Sequence, residues 1–361
     1  MRAFSVVLLV CILEGAALAL LFAERPSSST AMVAAQFKPP VSRPRPPRTF
    51  TLVAGGDVSL AGEPSSALFA GIRSYVRHAD LGIANLEGTL ATGGAARCTA
   101  SAEQGCFVFR ASPAWAATLK GTGFAALSVA NNHALDFGHA AHVETLAALK
   151  SARVAAAGLP GQITYLKRAG IKIAMIGVAP YPWAQSLLDA EGTAALVRVA
   201  ARRADVVLVY MHAGAEGADA THVSGQDEIY RGERRGNARA FAHAMVAAGA
   251  DLVFASGPHV LRGIEWYRHR LIAYSLGNLA TSHTLATAGA LGQSALLRLT
   301  LDERGRFVAG SIVPLRLDAW GAPSFDRTRS ALGAIRTLSR TDFGGTAATV
   351  GQAGRILAPR P

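Results

Sequence analysis

The run Ser128-Val129-Ala130-Asn131-Asn132-His133-Ala134-Leu135-Asp136 carries an apolar β-type segment into a cluster of amide, imidazole and carboxylate groups. Such groups bind divalent ions or move protons. A buried strand over Phe124–Ala130 places Asn132, His133 and Asp136 at its carboxyl end, the edge where α/β sheets hold their ligands. Five further apolar runs stop in the same manner. Thr51–Gly56 leads to Asp57, Leu81–Ala84 to Asn85 and Glu87, and Val206–Met211 to His212 and then Glu216. Leu252–Ala255 leads through Ser256-Gly257-Pro258 to His259, and Ile272–Ser275 leads through Gly277 to Asn278. Oxygen and imidazole donors without paired cysteines suit Mn, Fe or Zn better than a thiolate site would. Carboxylates and imidazoles from separate strand ends could hold one or two ions and leave a position for water, ionised near a pKa of about 7.

The elements that must position these groups alternate along the chain. Helical periodicity covers Ala140–Lys150, Ala194–Arg203 and Asn237–Ala248, each following a strand and its polar terminus. Repeated strand, polar residue and helix define an α/β chain. Ala295–Asp302 and Arg306–Leu317 read as strands joined by a turn at Glu303-Arg304-Gly305, completing a second sheet.

With these residues in place, the chain resembles the CapA family of poly-γ-glutamate capsule biosynthesis proteins, of the calcineurin-like metallophosphatase superfamily. The matching segments are Gly56-Asp57-Val58-Ser59-Leu60, Asn85-Leu86-Glu87-Gly88, Ala130–Gly138, His212-Ala213-Gly214-Ala215-Glu216, Pro258-His259-Val260 with Gly263-Ile264-Glu265, and Tyr274–Asn278. They fall in one order between roughly residues 50 and 285. The resemblance implies a four-layer α/β/β/α metallophosphatase-like sandwich. It implies that Asp57 and Glu87 are the first and the bridging metal carboxylates, Asn132 an amide ligand, and His212 and His259 imidazole ligands. His133 and Asp136 resemble a catalytic His-Asp dyad, the carboxylate orienting the ring and favouring its charged form. Asn85, Glu216 and Asn278 are additional candidates.

The chain also departs from the wider metallophosphatase pattern. Asp57-Val58-Ser59 stands where many such enzymes have Asp-x-His, and Gly257-Pro258-His259 stands where they have Gly-His-x-His. Ala213 occupies a position that is commonly Trp in CapA proteins. Two ligands of a full two-metal set are missing, so one ion or two remain open, and Mn, Fe, Zn and Mg are not distinguished.

The termini and charge bear on location and partners. Residues 1–23 form a basic start and an apolar segment, read as a signal anchor or signal peptide. Residues 24–48 are a Pro/Ser/Arg-rich linker, 49–320 the metallophosphatase-fold domain, and 321–361 a partly disordered extension whose Gly-rich end begins at Gly344. A membrane anchor facing the periplasm or cell exterior follows, or secretion if the segment is cleaved. Cys98 and Cys106 can then close a small disulfide loop in an oxidising compartment. A net charge of +12 raises the local concentration of anions. Export argues against nucleic acid and for an anionic extracellular polymer or a phosphorylated or γ-glutamyl substrate. Arg43, Arg45 and Arg48 in the linker are placed to meet lipid headgroups, and Arg231, Arg234 and Arg235 to meet an anionic chain. The expected function is therefore capsule or envelope polymer biosynthesis, by metal-dependent hydrolysis or as a non-catalytic binding component of a membrane synthase complex.

Overall fold

The structure, a computed structural model, describes residues 46–99 and 105–359. The apolar amino-terminal segment and nearly all of the linker lie outside the described residues. Among the described residues no helix is long and apolar enough to cross a membrane.

The chain first lays down β1 (Thr49–Ser59), α1 (Arg73–Arg77), β2 (Leu81–Leu86), the short pair β3 (Thr89–Leu90) and β4 (Arg110–Ala111), α2 (Trp115–Thr122), β5 (Phe124–Ser128), α3 (Gly138–Ser151) and β6 (Ala155–Ala157). Strands β1, β2, β5 and β6 lie side by side and parallel. A second sheet follows from β7 (Thr164–Arg168), β8 (Ile171–Val178), α4 (Ala190–Ala201), β9 (Val206–His212), the separate hairpin β10 (Glu228–Tyr230) and β11 (Glu233–Gly236), α5 (Ala238–Ala248), β12 (Leu252–Ser256), β13 (Ile264–Tyr267) and β14 (Arg270–Ala273). Its order is β13-β14-β12-β9-β8-β7, with a parallel centre and antiparallel edges. The chain then returns to the first sheet through β15 (Asn278–Thr281), β16 (Gln293–Asp302), β17 (Phe307–Leu317), β18 (Pro323–Phe325), α6 (Ser330–Phe343) and β19 (Arg355–Ile356).

Strand β1 shows why these sequences read as almost continuous apolar runs. Phe50, Leu52 and Ala54 face the second sheet, while Val53 and Val58 face the helices, so both faces are dry. Between the sheets, Leu52, Leu81 and Ile83 share a core with Ile173, Met175, Leu208 and Phe254. Outside them, Trp115 and Leu119 of α2 and Leu149 of α3 cover the first sheet, and Val197 of α4 with Phe241 and Met245 of α5 cover the second. The layers are α/β/β/α, in agreement with the expectation. Burying each large aliphatic side chain contributes roughly 1.5–3 kcal/mol, so the two-sheet seam is a large source of stability. Polar bonds also cross that seam; at its centre the Tyr210 hydroxyl donates to the Gly55 carbonyl at 2.6 Å.

Two helices that cover the second sheet start at side-chain caps. Asp189 accepts the Gly192 N–H ahead of α4, and Asn237 accepts the Ala240 N–H ahead of α5.

Three expectations are corrected. The hairpin of β16 and β17 does not complete the second sheet; β16 pairs antiparallel with β1, Thr49 opposite Asp302, and widens the first. This edge of β1 is open along its first half because β2 occupies the other side. The segment from Gly344 is ordered through residue 359: Ala348, Val350 and Ile356 are buried, β19 pairs with β17, and the Thr346 hydroxyl donates to Glu265. Its few apolar residues suffice to seat a Gly-rich stretch. Arg48 is part of the domain rather than a free linker residue, since its guanidinium binds Glu303 at 2.7 Å and the Gly170 carbonyl at 2.8 Å.

Candidate metal centre

The carboxyl ends of the parallel strands from both sheets meet at one edge of the sandwich. Asp57 lies in β1 opposite both Asn85 of β2 and Asn278 of β15. His212 ends β9 opposite Ser256 of β12, three residues before His259. This convergence demands a glycine at position 56, where a Cβ would overlap the Gly277 carbonyl oxygen. It also bends the chain after β12, where Gly257 has φ 112° and His259 itself φ 62°.

Asp57, Glu87 and His212 each offer one ligand atom, and these atoms lie within 4.8 Å of one another. All three side chains are fully buried. Asp57 is well supplied with donors: Asn85 Nδ2 at 2.8 Å and the Gly257 N–H at 3.0 Å. Glu87 has none, and both its oxygens are buried without a hydrogen-bond partner. Its Oε1 sits 4.0 Å from His133 Nε2, 3.8 Å from His212 Nε2 and 3.7 Å from His259 Nε2. His212 Nε2 and the Asn132 amide oxygen are likewise buried and unpartnered. A buried carboxylate without a donor is costly, and a buried ionised one far more so, unless a cation compensates it. These orphaned oxygens and imidazole nitrogens are of the kind that binds a divalent metal, and the residues fit such an ion.

The electrostatics lead the same way. Burial, reinforced by Asp57, pushes the Glu87 carboxyl well above its usual range. Burial would also raise Asp57, but the His259 imidazole and then His212 hold it down to about 2. His212 is driven to about 3 by its burial, so it presents a neutral ring. His259 is opposed by burial but held well above the ordinary value by Glu87, Asp57 and Glu216. An imidazolium thus fills the place of positive charge among three acids.

The remaining candidates occupy distinct places. His133 Nδ1 is 2.8 Å from Asp136 Oδ2, forming the dyad, and the Phe109 ring lies over the imidazole at 4.2 Å between centroids. Asn132 donates to Glu216 Oε1 at 3.3 Å. Glu216 Oε2 is 3.6 Å from His259 Nε2, and its carboxylate pairs with Arg235 at 2.7 Å. Burial would raise Glu216, but His259 and Arg235 hold it down to about 2. Asn85 and Asn278 act differently from ligands: their side chains are engaged with Asp57 and with His259 Nδ1, the latter at 3.0 Å. Each fixes a ligand's orientation. Cys98 and Cys106 are joined by a disulfide.

A cavity of about 310 Å³ opens over His133, His259 and Asn132. Its wall contains Tyr181 stacked on Trp183, Tyr230, Phe107, and the arginines Arg97 and Arg231. Of the three arginines placed against an anionic chain, Arg231 lines the mouth and Arg234 pairs with Asp227. Arg235 also lines the cavity, but it is 4% exposed and pairs with Glu216 and Glu233.

The family described as "Bacterial capsule synthesis protein PGA_cap" matches residues 51–283, which hold every one of these groups. The chain belongs to this family. Among curated relatives, the PGA biosynthesis protein CapA of Bacillus subtilis (strain 168) is 32% identical over 177 residues, 44% of this chain and 43% of the relative. The capsule biosynthesis protein CapA of Bacillus anthracis is 28% identical over 216 residues, 57% of this chain and 50% of the relative. The chain thus spans about half the length of the curated family members it matches. The solved structure of a 5'-nucleotidase precursor from Thermus thermophilus aligns with TM-score 0.43 and 15% identity, covering 81% of this chain and 59% of that one.

Sequence reasoning missed Arg97, Asn131 and the aromatic wall. Asn131 donates to Asn85 Oδ1 and the Leu86 carbonyl, and accepts the His133 N–H. Its position beside Asn132 was a signal for the local turn, but not for that bridge between strands. Glu265, part of a family-like motif, belongs to a separate cluster with Tyr274, His243 and Thr346.

Proposed function

We propose that this protein is an exported, membrane-anchored member of its family that acts in capsule or envelope polymer biosynthesis of the poly-γ-glutamate type, as a metal-dependent hydrolase. The observation that carries the reading is Glu87: a fully buried carboxylate with no donor, facing three imidazole nitrogens across less than 4.1 Å. Asp57, Glu87, His212, His259 and Asn132 would hold one or two divalent ions. Such an ion supplies Lewis acidity and lets water ionise at a pKa of about 7.

The chain's own residues do the rest. Asn85 and Asn278 keep Asp57 and His259 aimed inward. The Asp136 carboxylate orients His133 through Nδ1 and leaves Nε2 to hold or deliver a proton at the reacting oxygen of a phosphoryl or γ-glutamyl centre. Arg231 places positive charge beside the cavity for an anionic substrate. The apolar wall of Phe107, Tyr181 and Trp183 limits water around that substrate. Metal content of the purified protein after loading with Mn, Fe or Zn tests the reading. Near-stoichiometric metal that is lost in Asp57→Ala and in His259→Ala supports it. No retained metal under any loading removes the hydrolase and leaves a polymer-binding component of a synthase complex.

A further inference from the structure

The dyad carboxylate is held by a loop that a disulfide closes. Asp136 is fully buried and receives the His133 ring on Oδ2. Its other partners come from the two limbs of one loop. From the first limb, Arg97 Nε donates to Asp136 Oδ1 at 2.7 Å, and the Arg97 N–H donates to the Asp136 carbonyl at 2.8 Å. From the second limb, the Phe109 N–H donates to Asp136 Oδ2 at 2.7 Å, and the Phe109 ring covers His133. The limbs are linked to each other, because Arg97 Nη2 donates to the Phe107 carbonyl at 2.9 Å. The Cys98–Cys106 bridge lies immediately beyond, with Cα atoms 6.1 Å apart, next in sequence to Arg97 on one side and Phe107 on the other.

We infer that Arg97 is a positioning residue for the His133–Asp136 dyad and that the Cys98–Cys106 disulfide clamps it there, making the proton-transfer half of the site dependent on an oxidised loop. The inference rests on the hydrolase reading for its kinetic consequence, but not for its geometry. Arg97 touches neither the proposed metal ligands nor the imidazole; it acts through Asp136. Its fork makes one bond to the carboxylate and one across the loop, which a lysine ammonium does not reproduce. A dithiol reductant opens the clamp in a balanced exchange: the S–S bond breaks, the reductant passes two electrons and two protons to Cys98 and Cys106, and it closes into its own disulfide. The limbs are then joined only by hydrogen bonds, while Asp57, Glu87, His212 and His259 stay on their strand ends.

The test compares wild type with Arg97→Gln, Arg97→Lys and the double variant Cys98→Ser/Cys106→Ser, in the full chain. The first readout is the ring N–H of His133 at Nδ1 by NMR, in a protein labelled at histidine. In the wild type a slowly exchanging signal is expected, because Nδ1 is 2.8 Å from the buried Asp136 carboxylate. The inference expects that signal to broaden or vanish in Arg97→Gln, in the cysteine double variant and in wild type treated with a dithiol, with Arg97→Lys failing to restore it. Loaded metal content stays at the wild-type level. Where hydrolysis is measurable, kcat falls on the order of 10- to 100-fold with KM little changed, the scale of a misplaced catalytic group. An unchanged His133 signal in all variants overturns the inference, whatever the activity. A protein that binds no metal and hydrolyses nothing, yet loses the signal as described, overturns the hydrolase reading and leaves the clamp standing.

Discussion

Replacing Glu87 by Gln separates the cost of the centre from its use. The substitution keeps shape and removes charge from a site where neither carboxylate oxygen has a donor. It also supplies an N–H₂ group near His212 Nε2, an atom that has no partner of its own. Relief of an unsatisfied buried polar group is worth about 1–3 kcal/mol. A folded unit of roughly 300 residues, at about 2.1 cal/mol/K of unfolding entropy each, converts that gain into about 2–5 °C in Tm. Metal-free Glu87→Gln is therefore expected to melt higher than metal-free wild type. The order reverses in its response to metal. A divalent ion at 100 times its Kd stabilises wild type by about 2.7 kcal/mol, or about 4 °C, and should leave the variant unmoved. The pH dependence has a definite sign. Burial raises the Glu87 carboxyl from its ordinary 4.5, so the native state retains a proton that the unfolded chain has lost. Wild-type stability from this group falls as pH rises from 4.5 toward the folded value, and the advantage of Gln is small below pH 4.5 and grows above it. Scanning calorimetry with chelator and with added Mn or Zn, at several pH values, measures both effects. A variant that is less stable without metal, or that gains as much from metal as wild type, refutes the assignment.

Two further outcomes test how the centre is held. Gly56→Ala places a Cβ against the Gly277 carbonyl, a backbone atom that cannot swing aside, so a loss of about 2 kcal/mol or more with weakened metal retention is expected in denaturant unfolding. Arg262 is 1% exposed and binds Glu228 through both terminal nitrogens, at 2.8 and 2.6 Å, while Glu228 also accepts the Ala215 N–H between His212 and Glu216. Arg262→Met leaves the partly buried Glu228 carboxylate without its partner and should cost about 1–3 kcal/mol, and adding Glu228→Gln should recover much of it. A double variant no more stable than the single one would show that the ion pair is not the cause.

The strand ends were legible because each buried strand is an unbroken apolar run, and the first polar residue after it marks the sheet edge. This is how the strand ends carrying Asp57, Glu87, Asn132, His133, His212 and His259 could be read from order, while the roles of these residues came from the family resemblance. The destination of β16 was not legible, since its apolar pattern fits either sheet and only the open edge of β1 decides. Arg97 was invisible for a related reason: it lies 39 residues before Asp136, in a loop without periodicity, and only tertiary structure brings the two together. Arg235 looked like surface charge from its neighbours Arg234 and Glu233. Its burial follows from the acid Glu216, which arrives from another strand end. The order of the tail beyond Gly344 depends on scattered apolar residues too few to form a pattern.

The candidate centre draws Asp57 and Glu87 from one sheet and the imidazoles of His212 and His259 from the other. The Tyr210–Gly55 bond crosses between them. Neither sheet alone brings these acids and imidazoles together, so capture of an ion would await the packing of the two sheets. A bound ion would then act as a rivet across the seam. Chelation should loosen the sandwich at this edge first, and amide exchange in β9 and β12 should quicken before that in the outer strands β17 and β18.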